Sequence, residues 1–433
     1  MKIAVIGAGV SGNVVARLLA DEHEVWLFEA GDYAGGHTNT VSFDAWGRTW
    51  SVDTGFMVFN DRTYPNFIRL LQGLGVAAQD SDMSFSVSCE RTGLEYQGSS
   101  LNGLFAQRRN LIRPSFYGML RDILQFNRQA PRLLGSDDQA LTLGQYLDRS
   151  GLGREFVEHY LIPMTAAIWS ARPRAVLDFP AHFLFGFFRN HGLLQVWDRP
   201  QWKTIPGGAQ RYVAALLEPL ADRVRLSCPV SRIARHADGV DVTTADGTSE
   251  RFEGVVCAAH ADQTLAMLAD ADQVEREVLA AFPYQRNDAV LHTDTSILPK
   301  RRRAWASWNY HLSQDPQAPA TVTYDLSRLQ RVDSPEPILL TLNDAGRLDP
   351  AKVIRRIDYQ HPAYGPDSIA AQRRHEEING RRRTWFCGAY WGYGFHEDGV
   401  RSALAVARCF GKDLETWTAA STKAASGTAG TSR

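Results

Sequence analysis

The first thirty residues constrain the fold more than any other stretch. Lys2 to Ile6 is a short β-rich run, Gly7-Ala8-Gly9-Val10-Ser11-Gly12 follows at once, and Val14, Val15, Leu18 and Leu19 then recur at helical spacing. Glu24-Val25-Trp26-Leu27-Phe28-Glu29 reads as a second strand ending in an acid. Strand, glycine turn, helix and strand within about 30 residues form the unit that holds a dinucleotide. Gly7 permits the tight turn, Gly9 lets the backbone approach a pyrophosphate, and Gly12 lets helix and strand pack closely. The helix N-terminus offers unpaired N–H groups and a positive dipole end to phosphate. The Glu29 carboxylate can accept from both ribose hydroxyls, and it disfavours a 2′-phosphate there.

A chain of 433 residues exceeds what one small core spans, so two domains are expected. The 47 basic and 48 acidic residues nearly cancel, which argues against a global grip on nucleic acid. Five cysteines, Cys89, Cys228, Cys257, Cys387 and Cys409, lack metal-ligand spacing, so no metal is expected and a reducing compartment is. No run reaches the ~18 apolar residues of a membrane span. The apolar run Ile3 to Ile6 is short and ends in glycines, so it reads as a buried strand and not as a signal peptide. A cytoplasmic protein is expected, with room for peripheral contact at the inner face of a membrane.

Helical spacing predicts helices around Leu120–Phe126 and Phe156–Leu161. The aromatic run Phe179 to Leu194 reads either as a core helix or as the lining of a tunnel for an acyl chain. Residues 224–256 are β-rich, and Val240–Thr243 and Phe252–Val256 flank an Asp246-Gly247 turn as a predicted hairpin. Ala289 to Tyr324 leans to strand and contains the basic cluster Lys300-Arg301-Arg302-Arg303. Arg108-Arg109-Asn110-Leu111-Ile112-Arg113-Pro114-Ser115-Phe116-Tyr117 mixes cations with apolar and aromatic residues, a composition that fits either an anionic lipid surface or a solvated helix edge. Thr384 to Gly388 reads as a strand, with a helix from about Gly399 to Phe410.

The glycine turn alone does not separate NAD from FAD. Gly35-Gly36-His37-Thr38 and Val52-Asp53-Thr54-Gly55-Phe56-Met57 lie beyond Glu29, and Gly388-Ala389-Tyr390-Trp391-Gly392-Tyr393-Gly394-Phe395-His396-Glu397-Asp398-Gly399 runs into the last helix. A second helix N-terminus can stabilise charge on a reduced flavin, which a simple NAD dehydrogenase does not need. On these segments the chain resembles the flavin-containing amine oxidoreductases, a superfamily that spans monoamine and polyamine oxidases, phytoene desaturases and protoporphyrinogen oxidase. It is most similar to a bacterial subgroup of NAD/FAD-binding proteins associated with cyclopropane and furan fatty acid synthesis, some members of which look like desaturases of membrane fatty acyl chains.

The resemblance implies an α/β fold, with a Rossmann-type (GR2-like) FAD-binding domain from 1–80, 200–285 and 375–415. A discontinuous α+β substrate-binding domain would take 81–199 and 286–374. By composition, rich in Ala, Ser, Thr and Gly after Trp417, residues 416–433 are expected to be a disordered tail. The resemblance also implies that Gly7, Gly9, Val10, Ser11 and Gly12 hold the FAD pyrophosphate, and that Glu29 and Ala30 lie at the adenosine ribose. Gly35, Gly36, His37 and Thr38 would lie near the phosphates and ribityl chain, and Gly55, Phe56 and Met57 near the isoalloxazine. Val230 would meet adenine through its backbone, while Gly388, His396, Glu397, Asp398 and Val400 would follow the ribityl chain and pyrimidine edge. No cysteine lies between Cys257 and Cys387, where flavinylated relatives carry theirs, so FAD is expected to be non-covalent.

Typical members carry an arginine after the Gly-Gly pair, where this chain has His37, and amine oxidases carry an acid where Ala389-Tyr390 stand. The tyrosine of the amine cage is replaced in the Phe395-His396 neighbourhood, and the catalytic lysine has no clear counterpart. His396 and His292 are the candidate catalytic residues; each is alternatively a satisfied structural histidine. The expected reaction is an FAD-dependent two-electron dehydrogenation of a lipid or other apolar small molecule, with desaturation of a fatty acyl chain leading. An amine or amino acid oxidase is the first alternative. A flavin-bound, non-enzymatic partner of a lipid methyltransferase is the second.

Overall fold

The computed structural model describes residues 1–135, 141–169, 171–315, 321–344, 346–415 and 417. Its centre is a five-stranded parallel sheet in the order Val224–Arg225, Glu24–Phe28, Lys2–Ile6, Gly254–Cys257, Thr384–Phe386. Three widely separated parts of the chain therefore meet in one sheet. Ile3, Ala4, Val5 and Ile6 are buried on both faces, which explains why this strand reads as a continuous apolar run and does not alternate. The helix Val10–Leu19 buries nearly its whole surface between this sheet and the last helix, His396–Arg408.

The hairpin predicted over 240–256 is shared between two sheets. Val240–Thr244 pairs antiparallel with Ser249–Phe252, and Val230–Arg235 completes a three-stranded meander. The second half of the apolar run, Gly254–Cys257, leaves the hairpin and enters the parallel sheet beside Lys2–Ile6. Glu253 is the exposed joint, so one apolar run serves two cores.

The second large unit is a seven-stranded sheet in the order Val353–Pro362, Tyr284–His292, Leu339–Leu342, Thr321–Asp325, Trp308–Leu312, Phe85–Cys89, Leu94–Gln97. All its pairings are antiparallel except that of Trp308–Leu312 with Phe85–Cys89. The helix Ile162–Trp169 packs on Trp308–Leu312, and Pro114–Leu133 packs against Ala181–Asn190 with the Phe126 and Phe185 rings 5.2 Å apart. The aromatic run thus divides its work. Leu184, Phe185 and Phe188 fill the core, while Phe187 faces a cavity. The last helix begins at His396, three residues before the sequence-based start. Of the tail assigned to 416–433, only Trp417 is described; it is buried, with the Arg17 guanidinium 5.2 Å from its ring. The remainder lies outside the described residues.

One charged contact between the meander and the helix Gln273–Ala280 carries a stability test. The Arg235 and Glu275 side chains are each 1% exposed and form a bidentate pair, and Glu275 also accepts from the Asp272 N–H in a capping box. Arg235 also donates to the Asp270 carboxylate and carbonyl, so truncating Glu275 removes the bidentate partner and leaves Asp270 as the remaining one. Glu275→Ala should therefore cost about 2–3 kcal/mol, read as a lower denaturant midpoint, with Glu275→Gln falling between wild type and that variant.

Candidate functional site

A cavity of about 1160 Å³ runs from the glycine turn past the seven-stranded sheet to the helix Pro114–Leu133. Its first wall is local in sequence. Gly7 adopts φ +100°, and a Cβ there would press on the Ala258 backbone. A Cβ at Gly12 would overlap the Gly7 carbonyl oxygen. Gly9, the residue just before the helix, has nothing within 4 Å of its Cβ direction and lies on the cavity wall. Backbone therefore faces open space where a phosphate can reach the helix N-terminus.

A second helix N-terminus abuts the first. The Ser11 hydroxyl donates to the Gly399 carbonyl at 3.0 Å, and a Cβ at Gly399 would press on Val10 and Ser11. Two positive dipole ends, Val10–Leu19 and His396–Arg408, thus meet beside one wall. Glu29 sits just past its strand, and its carboxylate accepts from the Ala8 N–H at 2.7 Å and the Gly31 N–H at 2.8 Å. Both bonds fix the group while leaving lone pairs for hydroxyl donors.

Most of the predicted residues line this cavity. Gly7, Gly9, Val10, Ser11, Glu29 and Ala30 form the nucleotide end. Gly35, Gly36, His37, Gly55, Phe56 and Met57 continue the wall, with Val230, Gly388 and His396 opposite. Six predicted residues do not line it. Gly12 is spent on the helix–strand contact. The Thr38 hydroxyl is buried between Tyr212 Oη at 2.6 Å and His396 Nε2 at 2.9 Å. Glu397 turns away to accept from the N–H groups of Asn66 and Phe67, where it caps the helix Pro65–Gly73. The Asp398 carboxylate accepts from the Tyr393 and Phe395 N–H groups and pairs with Arg401, and burial still pushes its pKa up to about 6. Val400 is core. His292 is wholly buried at the end of its strand, with Nε2 2.7 Å from Thr341 Oγ1 and Nδ1 accepting from the Asp294 N–H; it is a satisfied strand histidine outside the cavity.

His396 is held from three sides. Its ring stacks on Phe56 at 3.5 Å between centroids, and Nε2 is shared by Thr38 and Tyr212, the latter at 3.0 Å. Burial depresses its pKa to about 3, so the ring is neutral throughout the physiological range. Sequence reasoning missed the company it keeps. His37 stacks on Tyr359 at 4.9 Å and lies 5.0 Å from His361, and His260 stacks on Tyr284 at 4.2 Å. All of these rings line the cavity, and the buried His37 Nε2 and His260 Nδ1 have no protein partner. The strand alternation of Tyr359 and His361 was the one available signal for their shared face. No group of three His, Cys, Asp or Glu among the described residues could hold a metal ion.

The donor set fits a dinucleotide: an open backbone cradle at Gly9, two helix N-termini, a fixed carboxylate at the ribose position, and two orphaned imidazole nitrogens further along. Comparison with known proteins agrees. Residues 10–290 match the family described as flavin-containing amine oxidoreductase. A Mycobacterium tuberculosis protein named by assignment as the flavin-containing monoamine oxidase AofH is 27% identical over 371 residues, covering 82% of this chain and 76% of that protein. Cyclohexylamine oxidase from Brevibacterium oxydans superposes with a TM-score of 0.68 at 16% identity, covering 94% of this chain and 99% of that one. A CLA-producing fatty acid isomerase from P. acnes gives 0.64 at 16% identity, covering 94% and 98%. At these identities the two solved structures speak for the fold.

Two predictions follow from this geometry. Gly9→Ala should leave the apoprotein's stability within about 0.5 kcal/mol while lowering bound FAD about tenfold or more, whereas Gly12→Ala should lower stability directly. Denaturant midpoints and the flavin content of purified protein separate the two. The second concerns pH. Burial holds His191 and His361 down to about 4, His396 to about 3, and His37 well below the usual imidazole range. The unfolded chain takes up these protons near pH 6.5 and the folded one does not. Their contribution is thus present above pH 6.5 and lost as pH falls toward 4, at about 1.4 kcal/mol per pH unit for each histidine. Asp53 and Asp398, both raised to about 6, act in the opposite sense but are fewer. The unfolding midpoint should therefore fall between pH 7 and pH 5.

Proposed function

The chain belongs to the flavin-containing amine oxidoreductases and is an FAD-dependent oxidoreductase; from that premise we propose that it dehydrogenates a lipid, with a fatty acyl chain as the group oxidised and FAD held without a covalent bond. Bound FAD supplies the two-electron acceptor. The protein's own residues bind the chain, exclude water and aim a C–H bond at the cofactor.

The chemistry of the cavity wall beyond Phe56 supports this reading. Leu120, Ile123, Met164, Ala167 and Ile168 from the helices line it, together with Tyr96, Trp308, Tyr324, Leu340 and Leu342 from the seven-stranded sheet. Glu29 and Asp358 are the only carboxylates among the described lining residues. Glu29 belongs to the nucleotide end, and Asp358 is paired with Arg286. No carboxylate is therefore placed to receive a substrate ammonium, while the apolar wall matches a hydrocarbon chain. The neutral histidines leave the interior without a cation near the reacting bond, which suits a transfer that needs no strong protein base.

A second reading, an amine oxidase, draws on one observation. Phe395 stacks with Phe187 at 5.0 Å, and Trp169 lies 6.3 Å from Phe395, so aromatic faces surround the cofactor's neighbourhood and can hold a small amine. The named activities of the mycobacterial relative and the Brevibacterium enzyme point the same way. The third reading, a flavoprotein without turnover, gives way to the family's chemistry.

Anaerobic mixing decides between the first two. A dispersed phospholipid or free fatty acid should bleach the visible flavin absorbance and yield an acyl product two hydrogens poorer, while a panel of primary and secondary amines should leave the flavin oxidised. Rapid bleaching by any amine, with none by lipid, would replace the lipid reading with the amine one.

A further inference from the structure

Two stretches far apart in sequence form the outer end of the cavity. Leu104, Leu120, Ile123 and Leu124 come from one, and Val196 and Arg199 from the other. Leu124 and Val196 are each 47% exposed while also lining the cavity, so the cavity reaches the surface at both. Around them the same stretches carry side chains that a soluble surface seldom shows together. Ile112 is 85% exposed, Trp197 84% and Leu101 77%, with Leu111 and Tyr117 about half exposed.

The charge around these residues is mostly basic; Asp198, beside Trp197, is exposed and paired with Arg62. Residues 101–135 contain six arginines and a single acid, Asp122, which is buried and bonded to Arg121 and to the Gly153 N–H. Along the helix Pro114–Leu133, Tyr117, Arg121, Leu124 and Arg128 follow each other at intervals of four, three and four residues, and all are exposed. One stripe therefore alternates apolar or aromatic groups with guanidinium groups. The basic cluster Lys300–Arg303 adjoins it, since Arg302–Ala304 packs against Leu101–Leu104. No described helix is long and apolar enough to cross a membrane. Apolar tips ringed by cations, with no spanning segment, match an anionic bilayer surface.

We infer that the rim formed by Leu101–Leu124 and Val196–Arg199 docks on an anionic phospholipid bilayer, with Ile112 and Trp197 entering the interface, arginines on the lipid phosphates, and the cavity mouth opening onto the acyl chains. This rests on the lipid reading above for its purpose, though the surface can be tested without it. A lipid chain could then enter at Leu124 or Val196 without crossing water.

The experiment uses the full-length flavoprotein and sedimentation with vesicles of phosphatidylglycerol and phosphatidylcholine, or of phosphatidylcholine alone. Binding to the anionic vesicles is expected, weakening as salt rises. Ile112→Asp with Trp197→Asp should lower that binding about tenfold or more while flavin content, unfolding midpoint and reduction by detergent-dispersed lipid stay unchanged. Arg121→Ser with Arg128→Ser should weaken binding to the anionic vesicles and flatten its salt dependence. Wild-type protein that sediments with neither vesicle, or variants that bind as well as wild type, would overturn the docking surface. So would a dimer that the Ile112 and Trp197 substitutions break, because the face would then belong to a second copy. Reduction by dispersed lipid without vesicle binding would remove the docking surface and keep the lipid reading; vesicle binding without reduction by any lipid would do the reverse.

Discussion

The close approach of Gly12 to the Gly7 carbonyl is the constraint on which the site depends. It lets Val10–Leu19 start directly against the parallel sheet, so the helix's unpaired N–H groups open on the cavity and do not end against side chains. Any Cβ at Gly12 would push the helix outward and carry Gly9 and Val10 with it. The second helix is seated on the first through Gly399 and the Ser11 hydroxyl, so the contact propagates. From there Asp398 holds the Tyr393–Phe395 turn, and Glu397 ties the same helix to Pro65–Gly73. Residues that look like cofactor ligands thus act one step away, by setting where backbone ends.

The interior that follows is large and aromatic, and the few charged residues among its described lining are Glu29, Asp358 and Arg199. Burial keeps its histidines neutral, and hydroxyl networks such as Thr38–Tyr212–His396 fix ring orientation without adding charge. Such an interior lowers the cost of bringing in an apolar substrate and raises that of an ion. The same economy explains the sharp difference between the inner wall and the arginine-rich rim, since guanidinium groups stay solvated while their apolar neighbours remain uncovered.

The nucleotide end was legible in the sequence because each requirement there is local. A turn, a helix start and a strand-terminal acid are set by residues within about 30 positions, and the residue types follow from φ, from space and from hydrogen bonding. The far end was less so. His292 reads as a candidate only until Thr341 is known to lie beside it, across a strand pairing of residues 49 apart. The 240–256 run looked like one hairpin because alternation does not reveal that its second strand is recruited by Lys2–Ile6. His37, His260 and His361 come from three segments, and only folding makes them neighbours.

By itself the sequence determined the strand–turn–helix–strand unit, the acid at its end, the returning glycine-rich segment and the apolar character of the middle of the chain. Those are properties of adjacent residues, and local sterics and periodicity suffice to read them. Tertiary structure alone decided which carboxylates cap helices and which face the cavity, which histidine is satisfied by a neighbouring strand, and where the cavity reaches the surface. Each of those depends on a partner supplied from far along the chain, and the pairing of distant segments is a matter of packing that no local pattern encodes.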